Sequence, residues 1–141
     1  TGGSWTAVRG GGAYDSAGRR LDIAGSPGTG VVATGFPFRR PENRSRFIPV
    51  LLTAMDTFED LRRAGAASLD LAYAASGTWD GFFELNLSLW DIAAGSLLIT
   101  EAGGVVSDWG GDPEAVFTSG DILAGAPSWH ERMLSITRSS R

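Results

Sequence analysis

The 141-residue chain has no cysteine and no lysine, carries a single histidine, and nowhere runs apolar for long enough to span a bilayer. Each absence excludes something. Without cysteine there is neither a disulfide framework nor a thiolate metal site, so a bound metal would have to use oxygen ligands or His130. The lack of disulfides points towards the cytoplasm. The first residues lack the basic-then-apolar order of a signal peptide. A formal charge of −4 argues against a nucleic-acid surface, even though all 12 basic residues are arginine and some adjoin, at Arg39–Arg40 and Arg62–Arg63. Arginine suits oxyanions, but such pairs are more commonly solvated surface. Neither a membrane nor a nucleic acid is expected as a partner.

What is present is an apolar fraction of 43%, ample for one core, and an alternation of strand-like and helix-like segments. "WTAVRGGGAYDSAGRRLDI" reads as two strands joined through a turn at Asp15–Gly18. A hairpin so near the beginning has few partners, so the chain is expected to be the C-terminal part of something longer. "GVVATGFP" is a short β-branched run, and "ENRSRFIPVLLTAMDTFED" has helical spacing with Pro49 as a break or kink. "LRRAG" follows as a strand, then "SLDLAYAASG" as a helix closed by Gly77, and "WDGFFELNL" as a strand. "SLWDIAAGSLLITEAGG" predicts a helix with Ser88 or Asp91 near its start and Gly103–Gly104 at its stop. "GVVSDW" and "DILAGAP" supply two more strands before a terminal helix in "PSWHERMLSITRSSR". This order predicts an α/β fold, a layered sheet with helices on its faces, and shows no repeat or second domain boundary. The tryptophans and phenylalanines are expected in the core.

The acids of residues 84–101 bear on function. An aspartate in the first turn of a helix is stabilised by free N–H groups and the positive end of the dipole, by roughly 0.3–1 kcal/mol. Most such aspartates cap helices and bind nothing, which alone would account for Asp91. Ala93, Ala94 and Gly95, however, remove bulk from the first turn, where a ligand or another backbone would need to come close. Glu84 lies on the preceding strand, so a strand end and a helix start deliver two carboxylates to one edge of the sheet, where α/β proteins commonly place their sites. Mg²⁺ accepts one or two carboxylates plus waters and phosphate oxygens.

"WDIAAGSLLITEAGG", Trp90 to Gly104, resembles the C-terminal signature of the inositol monophosphatase family, W-D-x-A-A-G followed by an aliphatic run and E-A-G-G. The likeness extends through "WTAVRGGGAY", "VVATGFP", "LRRAGAASLDLAYAASGTWDGFFE" and "ILAGAP", nearly the whole chain. The resemblance implies the C-terminal half of the family's αβαβα fold, occupying residues 1–141, with the N-terminal metal-binding part absent. The family's D-P-[LI]-D-G-T signature and its upstream glutamate are not here; "DPEA" at Asp112 and "WDG" at Trp79–Gly81 share fragments of it and read as turns.

Carried over residue by residue, the resemblance makes Asp91 both the catalytic residue and the metal ligand, holding the second of two Mg²⁺ ions. Glu84 becomes a reader of substrate hydroxyls, and Gly65, Ala66 and Ala67 line the substrate ring. Ala66 departs from the family's serine or threonine, while a hydroxyl appears at Ser68. Glu101 falls at the helix C-terminus with no catalytic job, and His130 at the start of the last helix has a surface or capping role. The implied activity is Mg²⁺-dependent hydrolysis of a small phosphorylated polyol, inositol monophosphate first, by a cytoplasmic homodimer. Histidinol phosphate, a sugar bisphosphate and a nucleotide 3′-phosphate are alternative substrates. A non-catalytic interaction module is the alternative of a different class.

Overall fold

A computed structural model describes residues 3–140. The elements run in the alternating order expected: β1 (Trp5–Val8), β2 (Gly12–Asp15), β3 (Val31–Thr34), α1 (Arg44–Thr57), β4 (Asp60–Arg62), α2 (Ala67–Ala75), β5 (Gly81–Glu84), α3 (Leu89–Glu101), β6 (Val105–Ser107), α4 (Val116–Ser119), β7 (Ile122–Gly125) and α5 (Pro127–Ser139). Five strands form a mixed sheet in the order β4-β3-β5-β7-β6, parallel at β4/β3 and β3/β5 and antiparallel at β5/β7 and β7/β6. β1 and β2 form a separate antiparallel hairpin.

Period-two alternation distributes the strand side chains between two cores. Ala33, Phe82, Ile122 and Ala124 point to the face covered by α2 and α3, where they meet Leu71, Ile92 and Ile99. Val32, Phe83 and Leu123 point the other way, to Phe47, Val50, Trp129 and Met133 on α1 and α5. Both faces are thus covered, as a sheet whose central strands are mainly apolar requires. Trp129 fits because two glycines make room: a Cβ on Gly81 would overlap its indole, and one on Gly125 would lie 2.9 Å from it. On the opposite face Gly95 of α3 plays the same part, since a Cβ there would strike Leu71 of α2. Gly95 therefore serves helix packing and not the approach of a ligand, whereas Ala93 and Ala94 are exposed.

Several local expectations are corrected. The hairpin turn is at Arg9–Gly11, because Gly10 and Gly12 supply the positive φ that a tight turn needs; Asp15–Gly18 forms a second turn, after β2. Pro49 does not break its helix: α1 continues through it, and the Pro49 carbonyl accepts a bond from the Thr53 hydroxyl at 3.1 Å. The short α4 was not anticipated. Six of the twelve tryptophans and phenylalanines are buried and Trp5 and Trp79 pack against the core, but Phe36, Phe38, Trp90 and Phe117 are exposed, Trp90 to 83%.

His130 is also corrected. It is buried, with Nε2 2.6 Å from Ser107 Oγ across the α5–β6 junction. The Ser107 hydroxyl donates to the Asp108 carbonyl, so it can only accept from the imidazole, which makes Nε2 the protonated nitrogen. Burial, and then the nearby Arg138 charge, hold the His130 pKa below its usual value. This fits a neutral ring with a structural role.

Candidate active site

β5 ends the run that positions the site. Phe82 faces α2 and α3 and Phe83 faces away, so alternation turns Glu84 to the α2/α3 side at the strand's C-terminal end. Thr34 pairs with Phe83 in the parallel ladder, and its Oγ1 donates to the Phe83 carbonyl at 2.7 Å. The next step of that register sets Gly35 beside Glu84.

The chain then turns through Asn86, the one non-glycine residue with positive φ among those described, into α3. Ser88 is the extended N-cap, and its N–H donates to Asp91 Oδ2 at 3.0 Å, one arm of a capping box. The capping reading of Asp91 is therefore satisfied by a single oxygen. Oδ1 accepts no hydrogen bond from the described residues.

A third acid stands with these two. Asp70, in the first turn of α2, is only 1% exposed, and its Oδ1 has no hydrogen-bond partner among the described residues. Burial pushes its pKa up to about 6, and the neighbouring Trp79 indole offsets part of this without closing a hydrogen bond. Glu84 is raised to about 7, by burial first and then by the charges of Asp70 and Asp91; Arg63 pulls the other way. The charges of Asp70 and Asp91 thus both bear on Glu84, and Arg63 is the cation that bears on it. Its guanidinium lies over the rings of Phe36 and Phe38, 5.8 and 5.2 Å from their centroids.

Glu84 and Asp91 are consequently brought together at one edge of the sheet. Gly65, Ala66 and Ala67 form the β4–α2 connection leading to Asp70: Gly65 has a φ of +86°, Ala66 is the N-cap and Ala67 opens the helix. Neither Asp70 nor Gly35 is among the residues the sequence points to, and Arg63 is expected there only as half of a solvated surface pair. For Asp70 a signal existed, a lone acid inside the apolar run "SLDLAYAA". Among the described residues no group of three or more His, Asp or Glu could hold a metal ion. A cavity of about 420 Å³ between α1 and β4 is lined by apolar side chains of α1 and by the polar and charged side chains Thr34, Glu59, Asp60, Arg62 and Arg63, and touches none of the three acids.

Glu101, at the other end of α3, is fully engaged. Its carboxylate accepts the backbone N–H of Gly10 at 3.0 Å and of Gly12 at 2.9 Å, and these bonds hold its pKa down.

The family model for inositol monophosphatases matches residues 1–141, the entire chain. The chain belongs to the inositol monophosphatase family. It is 45% identical over 108 residues to the Nus factor SuhB of Escherichia coli K12, covering 77% of this chain and 40% of that protein. Its fold matches the extragenic suppressor protein SuhB of Bartonella henselae with a TM-score of 0.87 and 36% identity, over 95% of this chain and 51% of the other. The inositol monophosphatase of Anabaena gives a TM-score of 0.82 and 30% identity, over 96% and 54%. The chain spans about half the length, or less, of these family members.

Proposed function

We propose that the chain supplies the substrate-selecting half of a Mg²⁺-dependent phosphomonoesterase, acting on a small phosphorylated polyol of which inositol monophosphate is the first choice. The observation that carries this is the pairing on one edge of Asp91 and Glu84, the one with an oxygen and the other with a carboxylate that has no hydrogen-bond partner among the described residues. Family membership supplies the reaction class.

The donor set fits the ion, since the free atoms are carboxylate oxygens, which a hard cation takes. Asp91 would hold it through Oδ1 while Oδ2 stays on the Ser88 amide, so the helix cap fixes the ligand's direction. Bound there, Mg²⁺ would supply charge stabilisation for the leaving ester oxygen. One carboxylate cannot hold two cations, so the remaining ligands and the group that orients the water would come from the part of the family's length outside this chain. The exposed N-terminus of α3 adds favourable potential for phosphate. Glu84 would accept substrate hydroxyls, with Gly65, Ala66 and Ala67 leaving room for the ring. Ala66 offers no hydroxyl to the substrate, and Ser68, exposed on the first turn of α2, is the nearest replacement.

The test is an assay of the full-length protein on inositol 1-phosphate with Mg²⁺: turnover abolished by EDTA and restored by Mg²⁺ is expected, and no metal-dependent turnover on any polyol phosphate would refute the reading. A second reading, a non-catalytic interaction module, is favoured by one observation: curated relatives carry the name Nus factor. An intact D-P-x-D-G-T in the preceding coding sequence would favour the enzyme, and its loss the module. A cytoplasmic homodimer is part of the proposal, checked by sedimentation.

A further inference from the structure

We infer that Gly35 sets the position of the Glu84 carboxylate and is thereby a specificity-determining residue of the edge described above. This rests on the reading of Glu84 as the group that accepts substrate hydroxyls.

Gly35 is buried, yet its φ lies outside the left-handed region, so its backbone would admit any residue. What excludes a side chain is Glu84. A Cβ built on Gly35 would overlap Oε1 and Cδ of that carboxyl and lie 2.9 Å from Oε2. The two residues continue the β3–β5 register, in which Ala33 stands beside Phe82 and Thr34 beside Phe83. Glu84 therefore leans across β3 into the volume a cross-strand neighbour would fill.

A second glycine beneath a carboxylate marks the difference. A Cβ on Gly30 would lie 2.6 Å from Asp80 Oδ2, but there the Gly30 N–H and the Ser26 hydroxyl donate to the carboxylate and anchor it. Glu84 has no such anchor among the described residues. Its place is fixed by the vacant position at Gly35 and by the charges around it, Arg63 attracting and Asp70 and Asp91 repelling. The segment that makes the room also carries the cation, because Phe36 and Phe38 are the rings on which Arg63 rests. A methyl at position 35 would meet the far end of a flexible side chain, so the fold should yield by moving the carboxylate.

The test is a cycle of Gly35→Ala and Glu84→Ala in the full-length protein, read by thermal melting and by kcat/KM for inositol 1-phosphate against 4-nitrophenyl phosphate. Gly35→Ala should lower Tm when Glu84 is present, and leave it level or raise it in the Glu84→Ala background, where the methyl meets nothing and the unfolded chain loses entropy. The preference for the polyol ester should fall roughly tenfold to a hundredfold in Gly35→Ala, with no further fall in the double variant. Equal Tm changes in both backgrounds, or additive losses of preference, would overturn the inference. Preference lost in Glu84→Ala and kept in Gly35→Ala would overturn it alone. Preference kept in both, with the thermal coupling present, would overturn the reading of Glu84 on which it rests.

Discussion

The two ends of α3 carry carboxylates of opposite character. At the C-terminal end Glu101 accepts two backbone N–H groups from the β1–β2 turn and ties that hairpin to the body of the domain. At the N-terminal end Asp91 gives one oxygen to its own cap, and among the described residues neither its other oxygen nor Oδ1 of the buried Asp70, which with it bears on Glu84, has a hydrogen-bond partner. One motif thus holds an acid whose hydrogen-bonding capacity is spent within the protein and another whose capacity is left for something else. Unspent buried polar capacity is costly, and proteins keep it where a ligand or partner supplies the missing groups.

The largest effect that would sharpen this contrast is the loss of activity in the 141-residue chain by itself. With Asp91 as its one proposed metal ligand it should show no Mg²⁺-dependent turnover of inositol 1-phosphate, and joining it to the rest of the family's length should give turnover. A rigorously pure chain that turns over substrate would break the division of roles. Next comes Glu84→Gln, expected to reduce kcat/KM for the polyol ester by roughly tenfold to a hundredfold, with a much smaller loss on 4-nitrophenyl phosphate, which has no hydroxyls to read. Equal losses would make Glu84 a support of the metal centre.

The same contrast has a sign in pH. Glu84 and Asp70 have raised pKa values, so the stability of the chain is fullest below about 4 on their account and declines as pH rises through about 6 and 7. Glu84→Gln should therefore stabilise the isolated chain at pH 8, by on the order of 2 kcal/mol, and hardly at all at pH 4. Glu101 is lowered, so its contribution is present above the ordinary glutamate pKa and disappears as pH falls below it. Glu101→Gln should lower Tm at pH 7 by several degrees and have less effect near pH 3. Urea or thermal melts across pH check both, and parallel profiles for the two variants would erase the distinction.

Much of the architecture was legible because period-two and period-3.6 patterns are local. The strands "VVAT", "GFFE" and "ILAG" and the helix "LWDIAAGSLLITE" carry their boundaries in Gly, Pro and Ser. The hairpin turn was misplaced since "RGGG" and "DSAG" are both sound turn sequences, and the choice falls to pairing partners outside the segment. His130 was misjudged because the hydroxyl it meets, Ser107, lies 23 residues away. At the site, Glu84 and Asp91 could be read from their positions at a strand end and a helix start. Gly35 and Arg63 could not, for they reach Glu84 through the sheet order β4-β3-β5, which no local pattern contains.

The claim that the open carboxylate serves a ligand and the closed one serves the fold is tested most directly by comparing Asp91→Asn with Glu101→Gln in the full-length protein, measuring Mg²⁺-dependent turnover and Tm on the same samples. Asparagine keeps an oxygen for the Ser88 amide, so Asp91→Asn should melt close to the parent and lose turnover by orders of magnitude, while Glu101→Gln should melt lower and turn over normally where folded. The account would be contradicted if Asp91→Asn lost stability and the folded fraction kept its activity.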